Sequence, residues 1–173
     1  FIGPQPKFRS LFLSASRDGM NLAKIGIDTS RVIGAVSPRV FGGFVEHLGR
    51  AIYGGLYDRG SAQADSDGWR TDVLEALRRL DFTILRYPGG NFVSGYHWRD
   101  GVGPRESRKP VLDRAWNSLD TNHVGTDEFL SLAEMMGWEP LFAANLGNGS
   151  PAEAAEWVEY CAAQGHPVKV WCL

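Results

Sequence analysis

Cysteine is scarce, a strong charge of either sign is missing, and no long hydrophobic run interrupts the chain; each absence removes a class of protein. Among 173 residues there are only two cysteines, Cys161 and Cys172, both within apolar runs. A disulfide framework is therefore not expected, and a reducing compartment is permitted. The formal net charge is -2, which gives no electrostatic ground for binding nucleic acid or an anionic membrane. No apolar stretch reaches the roughly 20 residues that a membrane-spanning helix needs. The four histidines, His47, His97, His123 and His166, show neither paired helical spacing nor a neighbouring Cys pair, so no metal site is read from them. No G-x-S-x-G elbow occurs, and nothing in the chain asks for a cofactor.

What is present is ordinary globular material with one excess. The chain is 43% hydrophobic and 22% charged, which excludes wholesale disorder. Aromatic residues make up 12%, with six Trp; Trp in that number fills a core or lines a sugar-type cleft. Residues 1–19 lack an initiating Met and a clean period. The patch Leu11-Phe12-Leu13 after Lys7 and Arg9 is too short for the core of a signal peptide. Met20 is accordingly expected to be the natural start, with residues 1–22 an unstructured or extraneous segment and residues 23–173 the folded part.

From Ala23 the chain alternates, and Val32-Ile33-Gly34 before Pro38 predicts a hairpin-like lead-in. Residues 40–45 (VFGGFV) form an apolar run, as in a strand covered on both faces. Trp69, Val73, Leu74, Leu77 and Leu80 fall at helical spacing. The run Phe82-Thr83-Ile84-Leu85 reads as a strand, ending in Arg86 and the turn PGGN at 88–91. Residues 87–125 form a long loop, and loops of that length are usually functional. A second helix is predicted from Thr126 to Met136 with Gly137 just past its end. Pro140-Leu141-Phe142-Ala143-Ala144 is another buried strand. Ser150-Pro151-Ala152-Glu153 is a capping box with Pro at the first helical position, opening a third helix. Residues 168–173 begin a fourth strand.

Strand and helix in strict alternation predict parallel βαβ units. Half of a (β/α)₈ barrel and an open doubly wound sheet both fit, and in both the chemistry gathers at the carboxyl ends of the strands. Glu46, Arg86, Asn91 and Asn145 stand at those ends. Carboxylates and carboxamides hold hydroxyl groups, and Arg orients a carboxylate. With Trp98 and Trp116 in the long loop, the set suits a carbohydrate better than a phosphate. Each member taken alone can equally be a loop cap. The basic residues Arg105, Arg108, Lys109 and Arg114 are interrupted by Glu106 and Asp113 and read as a solvated loop. A competing motif, GNGSPA at 147–152, follows a strand, opens a helix and matches the dinucleotide fingerprint. Against it, Pro151 removes a backbone N–H from the cradle, and no acidic residue stands about 20 positions on.

The segments FGGFVEHLGR (41–50), IYGGLYD (52–58), LRYPGGNFVSGY (85–96), DGVGPR (100–105) and LDRAW (112–116) resemble the opening of family 51 glycoside hydrolases, the intracellular-type α-L-arabinofuranosidases. GTDEF (125–129), ANLG (144–147) and VEYC (158–161) continue the likeness in order. The resemblance implies a partial (β/α)₈ TIM barrel, strands 1 to 4 with intervening helices, from an enzyme that releases terminal arabinofuranosyl groups from oligosaccharides or polysaccharides with retention. It implies that the acid/base and nucleophile Glu residues lie beyond Leu173, so no catalytic residue is expected within this chain. It also implies substrate-binding roles for Glu46, Arg86 (bracing the nucleophile), Asn91, Trp116 and, as a further member, Asn145. A cytoplasmic location, with secretion as the alternative, and homo-oligomeric full-length relatives follow from the same likeness; no cofactor and no metal are expected. The connection Ala162-Ala-Gln-Gly-His-Pro167 is shorter than the family's loop there, which leaves leaving-group specificity open. Another barrel glycosidase of the same clan, or a non-catalytic sugar-binding or structural remnant, remain the alternatives.

Overall fold

The computed structural model describes residues 26–173, so the expectation for residues 1–22 and the first part of the alternation from Ala23 lie outside the described residues. The chain divides into two units, Phe1–Ser37 and Pro38–Leu173. In the first, the Asp28 carboxylate accepts hydrogen bonds from the Ser30 amide at 3.0 Å and the Ser30 hydroxyl at 2.6 Å, a local turn of the kind Asp favours. Of the hairpin-like lead-in, the part that falls on residues 31–37 has no regular structure, and Val32, Ile33 and Val36 are exposed. Alternation that short has no covered face to hold it in register.

The second unit carries the βα rhythm. Its elements are β1 (Gly42–Phe44), α1 (Thr71–Arg78), β2 (Ile84–Tyr87), β3 (Val111–Asp113), β4 (Ser118–Asp120), α2 (Thr126–Met136), β5 (Glu139–Ala143), α3 (Pro151–Ala163) and β6 (Val170–Cys172). β1, β2, β5 and β6 form one sheet in that order. Every pair is parallel, with Phe44 beside Arg86, Arg86 beside Leu141 and Leu141 beside Val170. The molecule is thus an α/β fold built on a parallel sheet with helices between successive strands.

Three departures from the sequence reading have physical causes. β1 is shorter than the run 40–45, because Pro38–Val40 turns as a 3₁₀ helix. It is not covered on both faces either, since as an outer strand it leaves Phe44 52% exposed. The long loop is not structureless. It holds 3₁₀ turns at Phe92–Gly95, Trp98–Gly101 and Arg105–Ser107, then the antiparallel hairpin β3–β4.

The helices end where their caps dictate. Ser150 Oγ accepts from the Glu153 amide at 3.1 Å, and Pro151 opens α3. Gly137, at φ 72, closes α2 in the left-handed conformation that costs a glycine least. The core lies between the sheet and the helices. Tyr87 stacks on Phe129 with centroids 4.5 Å apart, and Phe142 on Trp157 at 4.7 Å. The Trp157 indole donates to Thr126 Oγ1 at 2.9 Å, so α3 and α2 share one buried polar contact.

Candidate functional site

Every strand of the sheet points its carboxyl end the same way, so residues that follow the strands collect on one rim. Glu46 lies two residues past β1 and is buried. Its Oε1 accepts from the Gly90 amide at 3.0 Å and the Phe92 amide at 2.8 Å, so one carboxylate oxygen clamps the loop on both sides of Asn91. That clamp requires glycine at 89: at φ 153, an added Cβ would fall 2.4 Å from Glu46 Cγ. Asn91 itself lines a cavity of about 730 Å³ together with Phe92, His97, Asp113, Arg114 and Asn148.

Arg86 is in register beside Phe44, and its guanidinium lies 5.0 Å from the centroid of the Phe44 ring. Its Nε is buried without a hydrogen-bond partner among the described residues. Arg86 lines a second cavity of about 300 Å³ with Ser94, Ala143, Gly147 and Cys172. A buried guanidinium N–H is costly to leave unpaired, so this one is set to meet an anionic or hydroxyl acceptor.

Asn145 behaves differently. Its Oδ1 accepts from the Gly147 amide at 2.9 Å and the Asn148 amide at 3.1 Å; its Nδ2 donates to Tyr96 O at 3.0 Å and to Asn148 Oδ1 at 2.7 Å. A carboxamide has two donors and two acceptor positions, and all four are occupied. The geometry makes Asn145 a loop brace. Trp116 is in the turn between β3 and β4, its amide donating to Asp113 Oδ2 at 3.2 Å. It lines neither cavity, although its neighbours Arg114 and Ala115 line the larger one. The structure therefore brings Glu46, Arg86, Asn91 and Asn145 to one end of the sheet, with Trp116 on the hairpin beside them.

The loop that matches the dinucleotide fingerprint has two of its amides already committed. Gly147 N and Asn148 N both serve Asn145, and Asn148 N also reaches Ser94 O at 3.2 Å. The basic residues also depart from expectation. The Arg108 side chain is 3% exposed and holds both oxygens of Glu128 at 2.9 Å, joined by Arg105 Nε at 3.0 Å. This part of the loop is anchored on α2, not solvated. The signal was Glu128 in the first turn of α2, whose Oε2 also accepts from the Gly125 amide at 2.9 Å. Burial by itself pushes the Glu128 carboxyl up, but the Arg108, Gly125 and Arg105 hydrogen bonds together hold it below its ordinary value.

Sequence reasoning missed a second polar cluster behind the rim. His47 Nδ1 lies 2.6 Å from Asp120 Oδ2. Asp120 Oδ1 accepts from Tyr53 Oη at 2.9 Å and from the Asn122 amide at 2.6 Å. Here too burial pushes the carboxyl up, and the His47 contact together with the hydrogen bonds from the Asn122 amide and Tyr53 Oη holds Asp120 below its ordinary value. The one available signal was that His47 immediately follows Glu46. Among the described residues no group of His, Cys, Asp and Glu could hold a metal ion.

Residues 76–169 match the profile of the α-L-arabinofuranosidase 1 domain. The chain is 50% identical over 137 residues to a protein named probable α-L-arabinofuranosidase C of Aspergillus fumigatus, covering 79% of this chain and 27% of the relative. It is 42% identical over 170 residues to an intracellular exo-α-(1→5)-L-arabinofuranosidase of Acetivibrio thermocellus, covering 89% of this chain and 34% of the relative. Among solved structures, the thermostable GH51 α-L-arabinofuranosidase of Thermotoga petrophila superposes with a TM-score of 0.78 at 46% identity, over 82% of this chain and 33% of that one. The chain thus spans only about a third or less of the length of these relatives.

Proposed function

Because the chain belongs to the family 51 α-L-arabinofuranosidases, we propose that its strand ends are the sugar-gripping part of a site that releases terminal arabinofuranosyl groups. In this reading the four parallel strands are the first half of a (β/α)₈ barrel. Glu46 Oε1 positions the loop while Oε2 accepts a sugar hydroxyl. Asn91, held between the two clamped amides, offers its carboxamide to another hydroxyl. Arg86 braces a carboxylate supplied from outside these residues and keeps it ionised, as a guanidinium within a few ångströms does. Trp116 flanks the cleft from the hairpin, and Asn145 serves as brace.

The observation that carries the reading is the buried Nε of Arg86 near the end of β2, unpartnered among the described residues, on the same rim as a carboxylate whose Oε1 alone holds the loop amides. Retaining hydrolysis needs two carboxyl groups about 5–5.5 Å apart. In this reading both are supplied from outside these 173 residues, and the chain by itself is expected to bind without turning over.

Titration calorimetry with L-arabinose and α-1,5-linked arabino-oligosaccharides, against xylo-oligosaccharides of equal length, tests this. The expected result is heat with the arabinose series alone, and affinity about tenfold weaker in Asn91→Ala, the worth of roughly one hydrogen bond. Equal binding of the xylose series would move the chain to another clan specificity. No binding to either, by a folded chain, would end the proposal.

A further inference from the structure

The cluster behind the rim has no part in the contacts just assigned, yet it joins the two loops that wall the larger cavity. The His47 imidazole is enclosed by aromatic rings: Phe92 stacks on it at 4.5 Å and 10°, with Tyr87 and Tyr53 edge-on at 5.4 and 5.5 Å. Both ring nitrogens face oxygen atoms. Nδ1 meets Asp120, and Nε2 lies 3.2 Å from Tyr87 Oη, which donates to Val124 O at 3.1 Å. The Val124 amide in turn donates to Tyr53 Oη at 3.2 Å. The His47 and Asp120 side chains are only 3% and 5% exposed.

The hairpin at the other end of this contact has little of its own to hold it. β3 and β4 are three residues each, their Leu112 and Leu119 side chains are exposed, and no third strand joins them among the described residues. A two-stranded hairpin of that kind is marginal in water. Its buried side chains are acidic ones, Asp113 and Asp120. Asp113 turns back on the hairpin's own amides at Ala115 and Trp116, whereas Asp120 reaches out to His47 and Tyr53. Asp120 and Phe92 both line the larger cavity.

We propose that His47 is the positioning residue of this site: through Asp120 it fixes the β3–β4 hairpin, and through the face of Phe92 it fixes the loop that presents Asn91. One imidazole thereby sets the width of the cleft between them. The sugar-binding consequence rests on the function proposed above; the mechanical role does not. His47→Phe keeps the ring stacking and removes both nitrogens. His47→Asn keeps a donor where Nδ1 stood. Asp120→Asn removes the carboxylate while keeping its shape.

The test is amide hydrogen exchange on the full chain, read by mass spectrometry segment by segment, with arabinose affinity measured beside it. In His47→Phe, exchange across residues 111–120 is expected to rise by about tenfold or more while β2 and β5 are unchanged, as for local opening. Asp120→Asn should repeat that pattern, and His47→Asn should stay within roughly threefold of the parent. Arabinose affinity should fall in His47→Phe and recover in His47→Asn. Unchanged hairpin exchange in both His47→Phe and Asp120→Asn would overturn the proposal. So would uniform acceleration of every segment, the mark of simple core damage. A parent chain that binds no arabinose would defeat the functional reading while the exchange pattern still decides the role of His47.

Discussion

A carboxylate has two oxygens, and the proposed function gives those of Glu46 different ends. Because Oε1 already accepts two loop amides, removing the side chain and neutralising it should have separable effects. Glu46→Ala leaves both amides to find new partners and should destabilise the fold by about 1–3 kcal/mol. Glu46→Gln can keep Oε1 in place while turning the other position from acceptor to donor. It should melt close to the parent yet lose most arabinose affinity. Thermal unfolding and calorimetry on the two variants check this; equal losses of stability and affinity in both would mean that Glu46 is a loop clamp only. At this scale the sequence was half legible. Residue type and strand-end position pointed to Glu46, Arg86 and Asn91, but nothing local distinguishes a free carboxamide from one with all four positions filled, as in Asn145. His47 was illegible for a related reason, since its partner Asp120 is 73 positions away and the pairing exists only in the fold.

Among the elements, α2 is anchored through its first turn, and that anchor makes stability depend on pH. Glu128, in its first turn, is held below the ordinary carboxylate range by Arg108, the Gly125 amide and Arg105, against the opposing effect of burial. A carboxyl depressed in the folded state contributes stability that is complete above its unfolded value and is lost as pH falls through the folded one. Unfolding free energy should therefore decline from about pH 5 downward. Glu128→Gln leaves Arg108 buried without its counter-charge and should cost about 3 kcal/mol at pH 7. Its own decline toward acid should be shallower than the parent's. Denaturant titrations of both proteins between pH 2 and pH 7, on the order of one per pH unit, give the comparison; parallel curves would contradict it. Element type was read well where a period ran long or a cap stood at the boundary, as in α2 and α3. The β3–β4 hairpin escaped because Val111–Asp113 and Ser118–Asp120 are too short to show alternation.

For the whole molecule, the parallel order β1-β2-β5-β6 brings side chains from four distant segments to a single rim. That convergence follows from βα alternation, and it was the part of the architecture most plainly written in the sequence. What alternation cannot fix is the shape of the long connection after β2, because tertiary contacts set it: Glu128 with Arg105 and Arg108, His97 with Glu153, and Trp98 on the Glu153 carbonyl. In the proposed function this rim is one arabinose-holding pocket. A crystal of the chain soaked with L-arabinose is the decisive measurement. The expected result is a single sugar with hydroxyls in hydrogen-bonding reach of Glu46 Oε2 and the Asn91 carboxamide, beside the Arg86 guanidinium. A sugar seated elsewhere on the molecule, or an empty rim at saturating arabinose, would contradict it.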